Sequence, residues 1–255
     1  MEGLLGFVPI LEWVDVIVNG CQHHSPVGKV NSRGYGAPNN SGDYIMVTPQ
    51  SLIKKSHRPA KYTGCIPTFT GLSFNVLDPK PEQVKIADIA RGLAYKYRFG
   101  GLVGSVTVAE HSVMVANIIQ TMWPNSGAAL AGLLHDSCEA YTQDIQATVR
   151  DSLLVVMPNG ETISWAGLER KLNQAVSRAL SDGTDFYSRP EVQAADIIAL
   201  AIEKADSDQI RDEKWGLPPV PAEVSHLSVQ SLTPEAAMVV FMAKYDEIYG
   251  DREAI

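Results

Sequence analysis

The sequence has few cysteines, no long apolar run and no basic excess, and each shortage removes a class of protein. Its three cysteines, Cys21, Cys65 and Cys138, are odd in number and have no short paired spacing. A disulfide scaffold is therefore excluded, and a reducing compartment is expected. No apolar stretch approaches the roughly 18–20 residues that a membrane-spanning helix needs. The start, Met1-Glu2-Gly3-Leu4-Leu5-Gly6, lacks the basic flank and cleavage pattern of a signal peptide. Both points lead to the expectation of a cytoplasmic protein with no membrane partner. The formal net charge is -8, and residues 1–64 carry six Lys/Arg against four Asp/Glu, the remainder fifteen against twenty-five. An acidic body of this kind disfavours stable nucleic-acid binding, which depends on neutralising phosphates. A nucleotide substrate stays open, because a bound divalent cation reverses the charge of a pocket.

At 255 residues with 45% hydrophobic content, the chain is long enough to bury a core without covalent staples. Residues 1–64 read as an N-terminal extension with no recognisable motif. Phe7 to Val18 suits a strand or a short helix. Gly20 to Gly42, rich in Gly, Asn, Ser and Pro, reads as loop. Residues 48–66 are basic and irregular. From residue 65 to 255 the pattern sharpens into one domain. Thr68 to Phe74 resembles two extended pieces around a Gly turn. Val84, Ile86, Ile89, Leu93 and Ala94 recur at helical spacing. Further helices are expected over Val108 to Met122, Ala128 to Tyr141, Ser164 to Leu180 and Pro190 to Asp206. The last opens at Thr233-Pro234-Glu235, with Thr as cap and Pro in the first turn. Many helices and few strands predict an all-α domain behind a less regular extension.

The chemistry centres on His135-Asp136, preceded by Gly132-Leu133-Leu134. Adjacent helical residues point about 100° apart, yet an imidazole and a carboxylate can both reach one ion between them. Such a pair alone means little. Two neighbours strengthen it: His111, in Ala109-Glu110-His111-Ser112-Val113, and Asp196, in Ala194-Ala195-Asp196-Ile197-Ile198. As a plain structural residue Asp196 would sit at the edge of an amphipathic face, but its Ala-Ala and Ile-Ile flanks argue for burial. A buried carboxylate without a partner is costly and draws a cation. His111, His135, Asp136 and Asp196 then supply two imidazoles and two carboxylates, a donor set suited to divalent metals.

Ala-Glu-His-Ser-Val, Leu-Leu-His-Asp-Ser-Cys-Glu-Ala-Tyr-Thr-Gln-Asp-Ile and Ala-Asp-Ile-Ile-Ala-Leu-Ala-Ile-Glu-Lys-Ala-Asp together resemble the HD-domain phosphohydrolases. The likeness is greatest to the bacterial and bacteriophage branch of 5′-deoxynucleotidases and phage dATP triphosphohydrolases, and covers roughly Pro67 to Trp215. It implies a helical bundle holding one divalent metal ion (Co, Mn, Mg or Zn) through His111, His135, Asp136 and Asp196. It implies a deoxynucleotide substrate, a homo-oligomer and, for a phage-borne chain, the host cytoplasm. Tyr97-Arg98-Phe99-Gly100 is similar to the family's Arg-Phe or Arg-Trp element, whose Arg faces the substrate phosphate. As a plain structural residue, Arg98 would be a cation near a helix C-terminus.

Glu139 lies one turn after His135 on the same face. The family's counterparts of Glu139 and Asp144 orient or activate the attacking water, although Glu139 could instead hydrogen-bond His135. Arg150 stands where relatives often carry Lys, and a second phosphate contact is implied there. Gln146-Ala147-Thr148 replaces a Pro-rich segment, and Val103 to Thr107 replaces a more aromatic connector.

The resemblance implies a dNTP triphosphohydrolase, with dATP the leading substrate. A 5′-deoxynucleotidase is the alternative, and a non-catalytic nucleotide-binding HD protein is the alternative of another class. The cyclic-dinucleotide enzymes of this type carry extra histidines for a second metal. No His lies between His135 and Asp196, which favours one ion.

Overall fold

A computed structural model of the chain describes residues 64–207 and 215–253, together with four strands nearer the N-terminus. The chain divides into two units, Met1–Arg58 and Pro59–Ile255. In the first, β1 (Trp13–Val18) pairs antiparallel with β2 (Cys21–Pro26), and β3 (Tyr35–Pro38) with β4 (Tyr44–Val47). The strand reading of Phe7 to Val18 holds over β1. The loop reading of Gly20 to Gly42 fails over β2 and β3. Neither shows an apolar alternation, so pairing with a neighbour rather than local pattern makes them strands. The Asn19-Gly20 dipeptide between the first two is a hairpin signal present in the sequence. The basic run around Lys54, Lys55 and Arg58 lies outside the described residues.

The second unit is helical. A short hairpin, β5 (Cys65–Pro67) and β6 (Ser73–Asn75), precedes α1 (Ile86–Ala94). It is tied to α1 by Asp88, which accepts from the Thr70 N–H at 2.7 Å and the Thr70 hydroxyl at 2.9 Å. Then come α2 (Val108–Met122), α3 (Ala129–Leu134), the single turn α4 (Ala147–Arg150), α5 (Trp165–Leu180), α6 (Pro190–Asp206) and α7 (Pro234–Glu253). A second hairpin, β7 (Leu154–Val156) with β8 (Thr162–Ser164), leads into α5.

Helix α2 is the centre of this body. Thr107 caps it by accepting from the Glu110 N–H at 3.1 Å. From Val108 to Ala116 every residue is buried, Glu110, His111 and Ser112 included, so the helix is enclosed nearly all round. Helices α3, α6 and α7 pack on it. Glu110, buried on α2, accepts from the Ser231 N–H at 3.0 Å and the Leu232 N–H at 3.2 Å, which fixes the segment leading into α7. Among the described residues no helix is long and apolar enough to cross a membrane.

The structure shortens one expected helix. Instead of running to Tyr141, α3 stops at Leu134, and a 3-10 turn occupies Ser137–Ala140. Asn173 on α5 supplies the reason. Its Nδ2 donates to the His135 carbonyl at 3.2 Å, and its Oδ1 accepts from the Cys138 N–H at 3.1 Å. These bonds replace those that a continuing helix would make. The turn is clamped from the other side by the segment just past α1, where Lys96 Nζ donates to the carbonyls of Gly92 at 3.2 Å and Ala140 at 2.9 Å.

A methyl at Gly92 would lie 2.7 Å from both Cβ and O of Ala140 and 2.8 Å from its Cα. Gly92→Ala is therefore expected to destabilise the fold by about 1–3 kcal/mol, as overpacking does. Thermal unfolding followed by circular dichroism tests this, and an unchanged Tm would refute the close helix–turn approach.

Candidate metal centre

Three helices and one bend deliver the candidate ligands. His111 stands in the first turn of α2, His135 follows the last residue of α3, Asp136 begins the bend, and Asp196 lies in the second turn of α6. The two imidazoles are fully buried with ring centroids 5.3 Å apart, while the Asp196 side chain is 28% exposed and marks the open side. His111, His135 and Asp196 offer atoms within 4.8 Å of one another, close enough to share an ion. His111 Nε2 is 3.1 Å from Asp196 Oδ1, and His135 Nε2 is 3.8 Å from the same oxygen. Asp136 Oδ2 borders the cluster at 3.2 Å from His135 Nε2 and 3.7 Å from His111 Nε2.

The tautomers decide what this cluster wants. His135 Nδ1 lies 2.7 Å from the Gly132 carbonyl, which can only accept, so that nitrogen carries a proton. His111 Nδ1 lies 2.6 Å from Glu203 Oε1. Burial pushes Glu203 up, but His111 and Arg98 outweigh it and hold the carboxyl below the usual range, so it too accepts. In the neutral rings both Nε2 atoms then present bare lone pairs. Although carboxylate oxygens stand near, neither Nε2 has a partner in hydrogen-bond geometry, and both are buried. Lone pairs facing carboxylates repel unless a cation sits among them.

Protonation is the only remedy within the chain itself. Burial and Arg98 push His111 down, yet Glu203 and Asp196 outweigh them and raise it to about 9. His135 also rises, since Asp136 and Asp196 overcome its burial. Asp196 moves the other way, as His111 and His135 overcome its burial and hold it well below the carboxylate range. Two imidazole nitrogens with two carboxylates fit a divalent metal ion, and the orphaned Nε2 atoms show where it would be held.

Around this centre the expected residues fall unevenly. Glu139 is buried beside it with Oε2 unpartnered. Burial, then Asp136 and Asp144, push it well above its usual range. Asp144 is raised by burial, with Arg98 opposing and Asp136 assisting. Arg98 is not free to face a ligand with its whole fork. Its Nε and Nη2 donate to Glu203 Oε2, each at 3.3 Å, and Nη1 lies 3.8 Å from Asp136 Oδ2. The left-handed backbone at Phe99 and Gly100 (φ 57° and 64°) turns the chain sharply just after it. Arg150 pairs instead with Asp151, its Nε 3.6 Å from Oδ1. His226, outside this centre, is exposed.

Sequence reasoning missed three supporting residues. Glu203 lies seven residues after Asp196 on α6, two turns along one face, and that spacing was the available signal. Asn173 and Tyr187 gave none, because only tertiary contacts bring them in. Tyr187 donates to Asp196 Oδ2 at 3.2 Å and sets its ring edge-on to His135 with centroids 5.6 Å apart. A cleft of about 500 Å3, lined by Arg170, Lys171 and Gln174 among others, contains none of His111, His135, Asp136 and Asp196.

Residues 108–207, which contain all four expected ligands, match the HD domain family. YfdR, an uncharacterised protein of Escherichia coli K12, is 30% identical over 185 residues, covering 72% of this chain and 94% of the relative. An uncharacterised Rhodobacter capsulatus protein is 28% identical over 187 residues, covering 69% of this chain and 91% of the relative.

Because metal must displace protons from the imidazoles, affinity for Mn or Co is expected to fall as pH drops below about 9. Calorimetric titrations at pH 7 in buffers of different ionisation enthalpy should count at least one proton released per ion. A release of zero would contradict the assigned site. Glu203→Gln should weaken binding roughly ten- to hundredfold, as loss of an outer partner of a ligating His does.

Proposed function

This chain belongs to the HD-domain family of metal-dependent phosphohydrolases, and on that basis we propose that it hydrolyses deoxynucleotides with one divalent ion held by His111, His135, Asp136 and Asp196. The observation that carries this is the pair of buried, orphaned Nε2 atoms facing the Asp196 and Asp136 carboxylates. A bound ion would supply Lewis-acid polarisation of the phosphoryl group.

The chain's own residues account for the remainder. Glu139, whose Oε2 has no partner, is the base that takes the proton from the attacking water. Asp144 orients that water from the neighbouring turn. Water oxygen bonds to phosphorus, the bond to the 5′-oxygen breaks, and the departing oxygen takes up a proton. Arg98 offers Nη1, the nitrogen not spent on Glu203, to the negative charge gathering on the phosphoryl oxygens. The imidazoles themselves are buried, which strengthens their interactions with the neighbouring carboxylates.

Deoxynucleoside triphosphates, dATP foremost, are the substrates proposed first, with attack at the α-phosphorus giving deoxynucleoside and triphosphate. Arg150 would meet the more distant phosphates. A second reading, phosphate release from deoxynucleoside monophosphates, is favoured by one observation: Arg98 is the cation at the centre, whereas Arg150 pairs with Asp151. Self-association is part of the proposal too, since α7 leaves Val239 67% exposed beside the partly exposed Val240.

Incubating the protein with deoxynucleoside mono- and triphosphates and Mg, Mn or Co separates these readings. Triphosphate release from one dNTP, abolished in Asp136→Ala, is the expected result. Phosphate release from monophosphates alone would select the nucleotidase. Metal binding without turnover of any nucleotide would leave a non-catalytic nucleotide-binding protein.

A further inference from the structure

The segment joining α5 to α6 holds a residue whose placement the core does not require. Phe186 is 1% exposed and anchors this segment in the interior. Its neighbour Tyr187 is 38% exposed, so packing alone gives it little reason to be ordered. Yet the backbone there is pinned from several directions. Asp185 accepts from the Tyr187 N–H at 3.1 Å, and Gln193 of α6 donates its side-chain amide to the Tyr187 carbonyl. Ser177 donates its hydroxyl to the Thr184 carbonyl at 2.6 Å, and Arg189 pairs with Asp182 at 2.6 Å.

This bracing aims the phenol at the metal centre. The hydroxyl donates to Asp196 Oδ2 at 3.2 Å, while Asp196 Oδ1 lies 3.1 Å from His111 Nε2. The two oxygens of one carboxylate are thus divided between a phenol and the imidazole cluster. The same ring stands edge-on to His135 at 5.6 Å, which restricts that imidazole's rotation about its own Nδ1 hydrogen bond.

We propose that Tyr187 is a positioning residue of the metal centre: by holding Asp196 Oδ2 it presents Oδ1 alone to the ion and keeps Asp196 from chelating through both oxygens. A phenol suits the task because it donates at neutral pH and carries no charge that would compete with the ion. Ligating carboxylates are commonly held by such outer hydrogen bonds, whose loss weakens metal binding ten- to hundredfold. This inference rests on the metal-dependent reading of the site.

Tyr187→Phe retains the ring against His135 and removes only the hydroxyl. Cobalt titration of the full-length wild type and variant, read by the visible ligand-field spectrum and by calorimetry, tests the proposal. The expected result is an affinity ten- to hundredfold weaker in Tyr187→Phe with an altered cobalt spectrum, and an unchanged Tm of the metal-free protein. Wild-type affinity and spectrum in the variant would overturn it. So would a weakened affinity accompanied by a lowered metal-free Tm, which would assign Tyr187 to the fold. If the wild type bound no cobalt at all, the metal-dependent reading itself would fail, and this inference with it.

Discussion

Two hydrogen bonds made on the far side of two buried rings govern the site. His111 gives its Nδ1 proton to Glu203 and His135 gives its own to the Gly132 carbonyl. Each bond fixes a tautomer and an orientation, and each leaves Nε2 as a lone pair directed at carboxylates. A buried polar atom without a partner is expensive, and here two of them share one small volume. A bound cation would relieve that cost. The raised imidazoles and depressed Asp196 are the same electrostatic demand seen from opposite sides.

The fold works as a set of braces for this arrangement. Helix α2 is buried nearly all round and carries His111 in its first turn, where the Thr107 cap limits fraying. Asn173 breaks α3 after His135, so that Asp136 comes off a bend and not off a regular turn. Gly92 lets α1 approach that bend closely enough for Lys96 to hold both backbones. Glu203 performs two tasks with its two oxygens, orienting His111 through one and holding Arg98 through the other. A carboxylate so engaged is costly to remove, because it would leave Arg98 buried without its counter-charge.

How legible all this was differs from element to element. Helices α2, α5 and α6 could be read because each has an end signal, Thr107, Ser164 and Pro190, in front of an apolar pattern of period 3.6. The strands of residues 13–47 and the Leu154–Val156 hairpin strand were harder. Short strands owe their existence to a partner, and Leu154 and Val156 stay 70% exposed, so no alternation betrays them. Among candidate site residues, His111, His135, Asp136 and Asp196 were chosen by residue type and local surroundings, and the structure brings ligand atoms of His111, His135 and Asp196 together with Asp136 beside them. Arg98 was found too, but its pairing with Glu203 was not, since 105 residues separate the two.

The sequence by itself determined the class of fold, the helices that carry the candidate site, and His111, His135 and Asp196, the three side chains whose ligand atoms come together there. These follow from periodicity and residue type, which are local properties. Only the tertiary structure decided where α3 ends, which proton each imidazole keeps, and that Glu203, Asn173 and Tyr187 serve the centre. Apart from the bond from His135 to the Gly132 carbonyl three residues back, those outcomes depend on groups 35 to 105 residues apart in the chain, or across the turn between two helices. A hydrogen-bond partner chosen at such distances is set by packing, and no local pattern announces it.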